Sequence, residues 1–271
     1  MNIIKLLESF NIGETPNVKK ATSRRDSFNM FGQFGKTLAL AAVPSVVLNV
    51  IPKGAFARTN DIVGVLNFAL TLEFLEREFY TMGVSSGVIP TADMAIFNQI
   101  KKHEVAHVTF LQAAITGSGG TPIPQPNFDF TAGGAFNPFN VYADFLALSQ
   151  AFEDTGVRAY KGQAGNLMSS NDVLTAALQI HSVEARHASE VRRLRKKNGL
   201  DSANKGWITG SSRGTLPAAT QAVYDGEDNV MQGGVDASTV TTVGVTATQE
   251  GFDEPLTDTQ VVAIANLFIV P

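Results

Sequence analysis

All four histidines of this chain fall in two short segments, Lys102-His103-Glu104-Val105-Ala106-His107 and His181-Ser182-Val183-Glu184-Ala185-Arg186-His187. Each segment contains Glu-x-x-His, as Glu104/His107 and Glu184/His187. A spacing of three puts a carboxylate and an imidazole on one helix face, where one metal ion can reach both. Two further acids stand inside apolar runs, Glu73 in Thr-Leu-Glu-Phe-Leu-Glu and Glu153 in Gln-Ala-Phe-Glu-Asp. Glu73 lies 31 residues before Glu104, and Glu153 lies 31 before Glu184. An offset of 80 therefore maps Glu73 onto Glu153, Glu104 onto Glu184 and His107 onto His187, and also Tyr80 onto Tyr160 and Gln99 onto Gln179. The same offset demotes the neighbours. Glu76 maps onto Gly156, Glu78 onto Arg158, His103 onto Val183, and His181 back onto Lys101, so Glu76→Ala is expected to do little.

Charge explains why the doubled set belongs together. Four carboxylates buried in a helical core are very costly without counter-charge. Two divalent metal ions carry the four charges that neutralise them. Oxygen and imidazole donors without thiolate suit iron or manganese. Tyr80 and Tyr160, two turns beyond Glu73 and Glu153, either hydrogen-bond to ligand carboxylates or are ordinary core tyrosines.

Four helices must position these residues. Apolar residues repeat at three- and four-residue spacing from Asp61 until Gly83, Gly87 and Pro90. A second helix, capped by Thr91, runs to about Thr116, and Gly117–Asn137 is a loop. Asn137-Pro138 starts a third helix that ends near Gln163 or Leu167. Ser170 or Asn171 opens the fourth, which closes at Asn198-Gly199. Its basic end, Arg192 to Lys197, suits the negative pole of the helix and reads as solvated. Residues 201–255 are rich in Gly, Ser, Thr and Asp, with a strand-like alternation over Ser238–Thr248. Thr257 and Gln260 have capping-box spacing before a short apolar helix. The expected fold is all-α, an antiparallel four-helix bundle over 58–200, with an irregular extension over 201–271 packed on it and ending in that helix.

One Glu from each of two helices and Glu-x-x-His from each of the other two is the ligand set of dinuclear four-helix bundles. On these residues, 58–200 resembles the ferritin-like superfamily, with rubrerythrins, bacterioferritins and manganese catalases as relatives. The chain beyond Ala57 is similar to exported ferritin-like proteins of the desiccation and stress type, through Val223-Tyr224-Asp225-Gly226-Glu227-Asp228-Asn229 and Phe252-Asp253-Glu254-Pro255-Leu256. The resemblance implies two Fe or Mn ions acting on O2 or peroxide in ferroxidase, peroxidase or catalase chemistry. Glu104 and Glu184 would bridge, His107 and His187 would each hold one ion, and Glu73 and Glu153 would be terminal or bridging. The rival reading is a protective structural protein whose metals hold the bundle together. A homodimer is kept open as its assembly.

Composition narrows the rest. The chain has 271 residues, 44% hydrophobic and 17% charged, enough for a sizeable core. A formal charge of −4 excludes a basic nucleic-acid surface. Cysteine is absent, which removes disulfides, thiol catalysis, thiolate zinc sites and iron–sulfur clusters. A rubrerythrin-style peroxidase would then need an outside electron donor. Residues 1–57 read as an export signal. Arg24-Arg25, the uncharged run Thr37–Ile51 and Ala55-Phe56-Ala57 supply its basic, apolar and cleavage regions. The arginine pair, with Phe28 after it, resembles a twin-arginine signal. Cleavage after Ala57 and delivery by the twin-arginine machinery to the periplasm or the medium are expected. The alternative is a membrane anchor formed by an uncleaved signal, although the apolar run is short against the roughly 20 residues of a span.

Overall fold

The computed structural model describes residues 61–270. The arginine pair Arg24-Arg25 and the cleavage point after Ala57 lie outside the described residues. Four long helices dominate: α1 (Ile62–Ser86), α2 (Thr91–Gly117), α3 (Tyr142–Gln163) and α4 (Asn171–Lys197). The Asp61 carboxylate caps α1 through the Gly64 N–H at 2.6 Å, and Gly87, at φ 83°, ends it in the left-handed conformation. Pro90 sits at the N-cap of α2, so Thr91 is its first helical residue and not its cap. Only residues 87–90 join α1 to α2, and a single-turn 3-10 helix (Ala164–Leu167) joins α3 towards α4. Such short connections make each pair an antiparallel hairpin. Residues 118–141 carry the chain from one hairpin to the other. The described residues thus form the expected, mainly helical antiparallel four-helix bundle.

The third helix starts four residues later than Pro138 suggests. Asn137 to Val141 instead form a turn, closed by the N–H groups of Asn140 and Val141 on the Asn137 carbonyl. The Asp144 carboxylate accepts the Asn137 N–H at 2.8 Å and ties that turn to the first turn of α3.

Two apolar layers enclose the middle of the bundle. One is aromatic, with Phe79, Tyr80, Phe97, Phe145 and Phe152 in mutual contact. The other is aliphatic, with Leu66, Leu70, Val108, Leu111, Ile115 and Ile180. Burial of each such side chain contributes roughly 1.5–3 kcal/mol.

Helix α3 is buried without interruption from Phe145 to Tyr160. A helix in a bare bundle hides one stripe, so a second layer must cover its other side. The C-terminal segment supplies that layer. It contains a 3-10 turn (Ala218–Val223), the hairpin β2 (Met231–Gln232) and β3 (Val235–Asp236), a second 3-10 turn (Ala237–Thr239), and helices α5 (Val245–Gln249) and α6 (Asp258–Ala265). Leu216, Val223, Tyr224, Leu256, Val261 and Ile264 pack on Phe68, Leu72, Ala147 and Ala151. The buried Arg158 guanidinium pairs with Glu227 at 2.7 Å and donates to the carbonyls of Val223, Asp225 and Glu254. At Gly162 a Cβ would lie 2.1 Å from the Leu256 carbonyl oxygen, so only glycine lets the segment come this close. Strand β4 (Ile269–Val270) then pairs with β1 (Asn127–Phe128) of the crossover, which anchors the chain's end.

Two further features differ from the sequence reading. Arg192 and Arg195 are not solvated but buried, because Asp154, Tyr224, Gln150 and Thr215 enclose that end of α4. Ser238–Thr248 is not extended. The Asp236 carboxylate caps one 3-10 turn through the Ser238 N–H, and Gly244, at φ 90°, begins α5. The capping box forms as expected, with Thr257 and Gln260 each satisfying the other's backbone. Among the described residues no helix is long and apolar enough to cross a membrane.

Candidate metal centre

Glu73 on α1, Glu104 and His107 on α2, Glu153 on α3, and Glu184 and His187 on α4 converge between the two apolar layers. All four carboxylates are completely buried, and His107 and His187 are 8% and 4% exposed. They form two overlapping groups. Glu73, Glu104, His107 and Glu184 make one, and Glu104, Glu153, Glu184 and His187 make the other. Within each group one donor atom per residue lies within 4.8 Å of the rest. Metal–ligand bonds of about 2 Å hold donors within roughly 4 Å of one another, so modest side-chain adjustments close either group on an ion.

The contacts repeat across the pseudo-twofold axis. His107 Nδ1 faces Glu73, Glu104 and Glu184 oxygens at 3.1, 3.0 and 3.2 Å. His187 Nδ1 faces Glu104, Glu153 and Glu184 oxygens at 3.1, 3.1 and 3.9 Å. A ring nitrogen has one proton at most and cannot serve three oxygens. Glu104 Oε1 and both oxygens of Glu184 indeed remain without a hydrogen bond, although a histidine nitrogen lies nearby. Buried, unsatisfied carboxylate oxygens opposite imidazole nitrogens are what a divalent cation would satisfy. The residues therefore fit such an ion.

Protons in the metal-free cluster follow the same crowding. Burial, reinforced by the charges of Glu104 and Glu153, pushes Glu184 well above the usual carboxylate range. Burial likewise raises Glu104 to about 7, against the opposing attraction of both histidines. Glu73 resists its burial, because the charge and hydrogen bond of His107 and the Tyr160 hydroxyl hold it below the usual range. Burial disfavours protonated histidine, yet the surrounding carboxylates win. They raise His107, and they raise His187 to about 11, with Glu153 as its main attractor.

Tyr80 and Tyr160 do reach the cluster, and they do so crosswise. The Tyr80 hydroxyl donates to Glu153 Oε1 at 2.5 Å, and the Tyr160 hydroxyl donates to Glu73 Oε1 at 2.5 Å. Each tyrosine thus serves the glutamate of the other half, not the one on its own helix. Burial and the adjacent carboxylate raise both phenols well above their ordinary value, so both stay protonated donors.

The ferritin-like domain family matches residues 61–197, which span all four long helices. The chain belongs to this family. A comparison with curated proteins finds no match.

Two residues that the offset test set aside lie beside this ferritin-like centre. Glu76, one helical turn after Glu73, is 3% exposed, and burial with the charges of Glu184 and Glu153 raises its carboxyl well above the usual range. Its counterpart Gly156 makes room for it, since a Cβ there would stand 3.3 Å from both Glu76 Oε1 and Glu184 Oε2. The expectation that Glu76→Ala does little is therefore revised, because the truncation opens a hole against the cluster. The i, i+3 spacing of Glu73 and Glu76 was the available signal. His103 is the other, with Nδ1 2.8 Å from His187 Nε2. One turn separates it from His107, but a test for equivalence between halves discards what only one half has. His181 turns away and meets the Val157 carbonyl at 2.9 Å, and Arg186 is exposed, both as expected.

Proposed function

We propose that this chain is an exported ferritin-like oxidoreductase that holds two iron or manganese ions between Glu73, Glu104, His107, Glu153, Glu184 and His187. The observation that carries the reading is the overlap of the two groups. Glu104 and Glu184 belong to both, and each has two oxygens to offer, whereas Glu73 with His107 and Glu153 with His187 each belong to one. That sharing supports two adjacent ions over one. Bound iron or manganese would supply the redox chemistry on O2 or peroxide, of ferroxidase, peroxidase or catalase type. The protein's own part is to neutralise, orient and exclude water. Tyr80 and Tyr160 hold Glu153 and Glu73 by hydrogen bonds to one oxygen, and the other oxygen faces His187 or His107, where an ion would sit between them. The apolar layers keep bulk water from the carboxylates.

Export rests on the Arg24-Arg25 pair, the apolar run and Ala55-Phe56-Ala57. Delivery to the periplasm or the medium by the twin-arginine machinery would suit a protein that folds around its metals before leaving the cytoplasm. Oxygen uptake during anaerobic-to-aerobic addition of Fe(II) tests the enzymatic reading. Rapid uptake tied to two Fe(II) per chain supports it, and binding of metal with no uptake supports the protective structural role instead.

A further inference from the structure

The two halves of the site are inequivalent behind the histidines. His187 faces the carboxylates with Nδ1, so the atom left for a proton is Nε2. That atom lies 2.8 Å from His103 Nδ1, and the two rings meet edge to edge and nearly parallel, with centroids 5.0 Å apart and planes 10° apart. His103 in turn places Nε2 2.7 Å from the Gln99 side-chain amide. With His187 binding an ion through Nδ1, its Nε2–H donates to His103 Nδ1. His103 then carries its own proton on Nε2 and gives it to Gln99, with the amide turned to present its oxygen. One chain of hydrogen bonds thus fixes two tautomers and the plane of the His187 ring. Among the described residues the other half has no such chain. Gln179 matches Gln99, but between it and His107 the position equivalent to His103 holds Val183, whose side chain has no acceptor to offer.

We infer that His103 is a positioning residue that orients His187 for metal, so that the ion on the Glu153–His187 side binds first and more tightly than the ion on the Glu73–His107 side. This inference rests on the two-metal reading of the site. Hydrogen-bond partners behind a ligating histidine are typically worth 10–100-fold in metal affinity, so the two binding steps should be separated by about that factor. A protein loaded in order passes through a defined one-metal state, with the Glu73–His107 side filled last.

The test is a calorimetric titration of metal-free protein with Mn(II), the wild type beside His103→Val and His103→Gln. His103→Val gives the α2 side the residue that α4 already has at 183. The expected wild-type result is two resolved steps. In His103→Val the tighter step should weaken by about 10–100-fold and merge with the looser one. His103→Gln keeps an acceptor and should recover part of the separation. Thermal unfolding in chelator should be nearly the same for all three proteins, which separates positioning from folding. Two unresolved steps in the wild type, unchanged steps in His103→Val, or a weakening confined to the looser step would each overturn the inference while leaving the two-metal reading intact. Failure of the wild type to bind Mn(II) at all would overturn both.

Discussion

Glu104→Gln should make the metal-free protein more stable and the metal-loaded protein less stable. The substitution keeps the shape and removes one charge from a completely buried cluster. Burial and neighbouring acids hold the Glu104 carboxyl at about 7, against an ordinary 4.5. The folded state therefore binds more protons than the unfolded state between those values, and stability is lost as pH rises through them. At about 1.4 kcal/mol per pH unit the loss by pH 8 is on the order of 3 kcal/mol. The amide escapes it but gives up the carboxylate's attraction for His107 and His187, so this is an upper bound. For a chain of this size each kcal/mol moves the midpoint by roughly 2–4 °C, so a gain of several degrees is expected at pH 8 and none at pH 4. With Mn(II) at about 100 times its dissociation constant the wild type gains about 2.7 kcal/mol per site, which the variant largely forfeits, and the order of midpoints reverses. Thermal unfolding by circular dichroism at pH 4 and 8, in chelator and in Mn(II), reads all four conditions. A variant less stable than wild type at pH 8 in chelator would refute the reasoning, since Glu104 would then be a structural partner of the histidines and not a strained ligand.

Other expectations follow from the same cluster. His107 and His187 have raised values, so the stability they contribute is complete below about pH 6.5 and is lost as pH rises towards about 11 for His187. Metal-free protein should melt at lower temperature as pH increases across that range, whereas Mn(II) binding should tighten with pH and release protons, measurable by calorimetry in buffers of different ionisation enthalpy. Tyr160→Phe leaves Glu73 Oε1, and Tyr80→Phe leaves Glu153 Oε1, without its donor. Each should cost on the order of 1–3 kcal/mol in chelator melts, and each should weaken a different one of the two Mn(II) steps. Gly156→Ala should reduce Mn(II) affinity by crowding Glu76 and Glu184, whereas the isosteric Glu76→Gln should leave it within a few-fold, both read by equilibrium dialysis. Replacing Arg24 and Arg25 together by Lys should leave uncleaved precursor in the cytoplasm on a fractionation blot; normal export of that variant contradicts the twin-arginine assignment.

Periodicity and spacing made the helices and the six cluster residues legible, because burying four acids at helical spacing leaves few arrangements. The offset between Glu73/Glu104/His107 and Glu153/Glu184/His187 states a pseudo-twofold relation directly, and the four helices realise it. What departs from that symmetry was hidden for the same reason. Glu76 and His103 have Gly156 and Val183 as counterparts, so repetition could only discard them. Crossed pairing of Tyr80 with Glu153 depends on how the hairpins dock, which spacing along one helix does not encode. The fate of Arg192 and Arg195 depended on the C-terminal layer. Its short turns are held by contacts far apart in sequence, such as Arg158 to Glu227, and not by a local period.

Anomalous scattering from crystals of the chain grown with Mn(II) tests the central claim most directly. Two peaks are predicted roughly 3–4 Å apart, the usual separation in two-metal sites. Glu104 and Glu184 should lie between them, one peak beside Glu73 and His107 and the other beside Glu153 and His187. A single peak, peaks away from these six residues, or none at saturating Mn(II) would contradict the account.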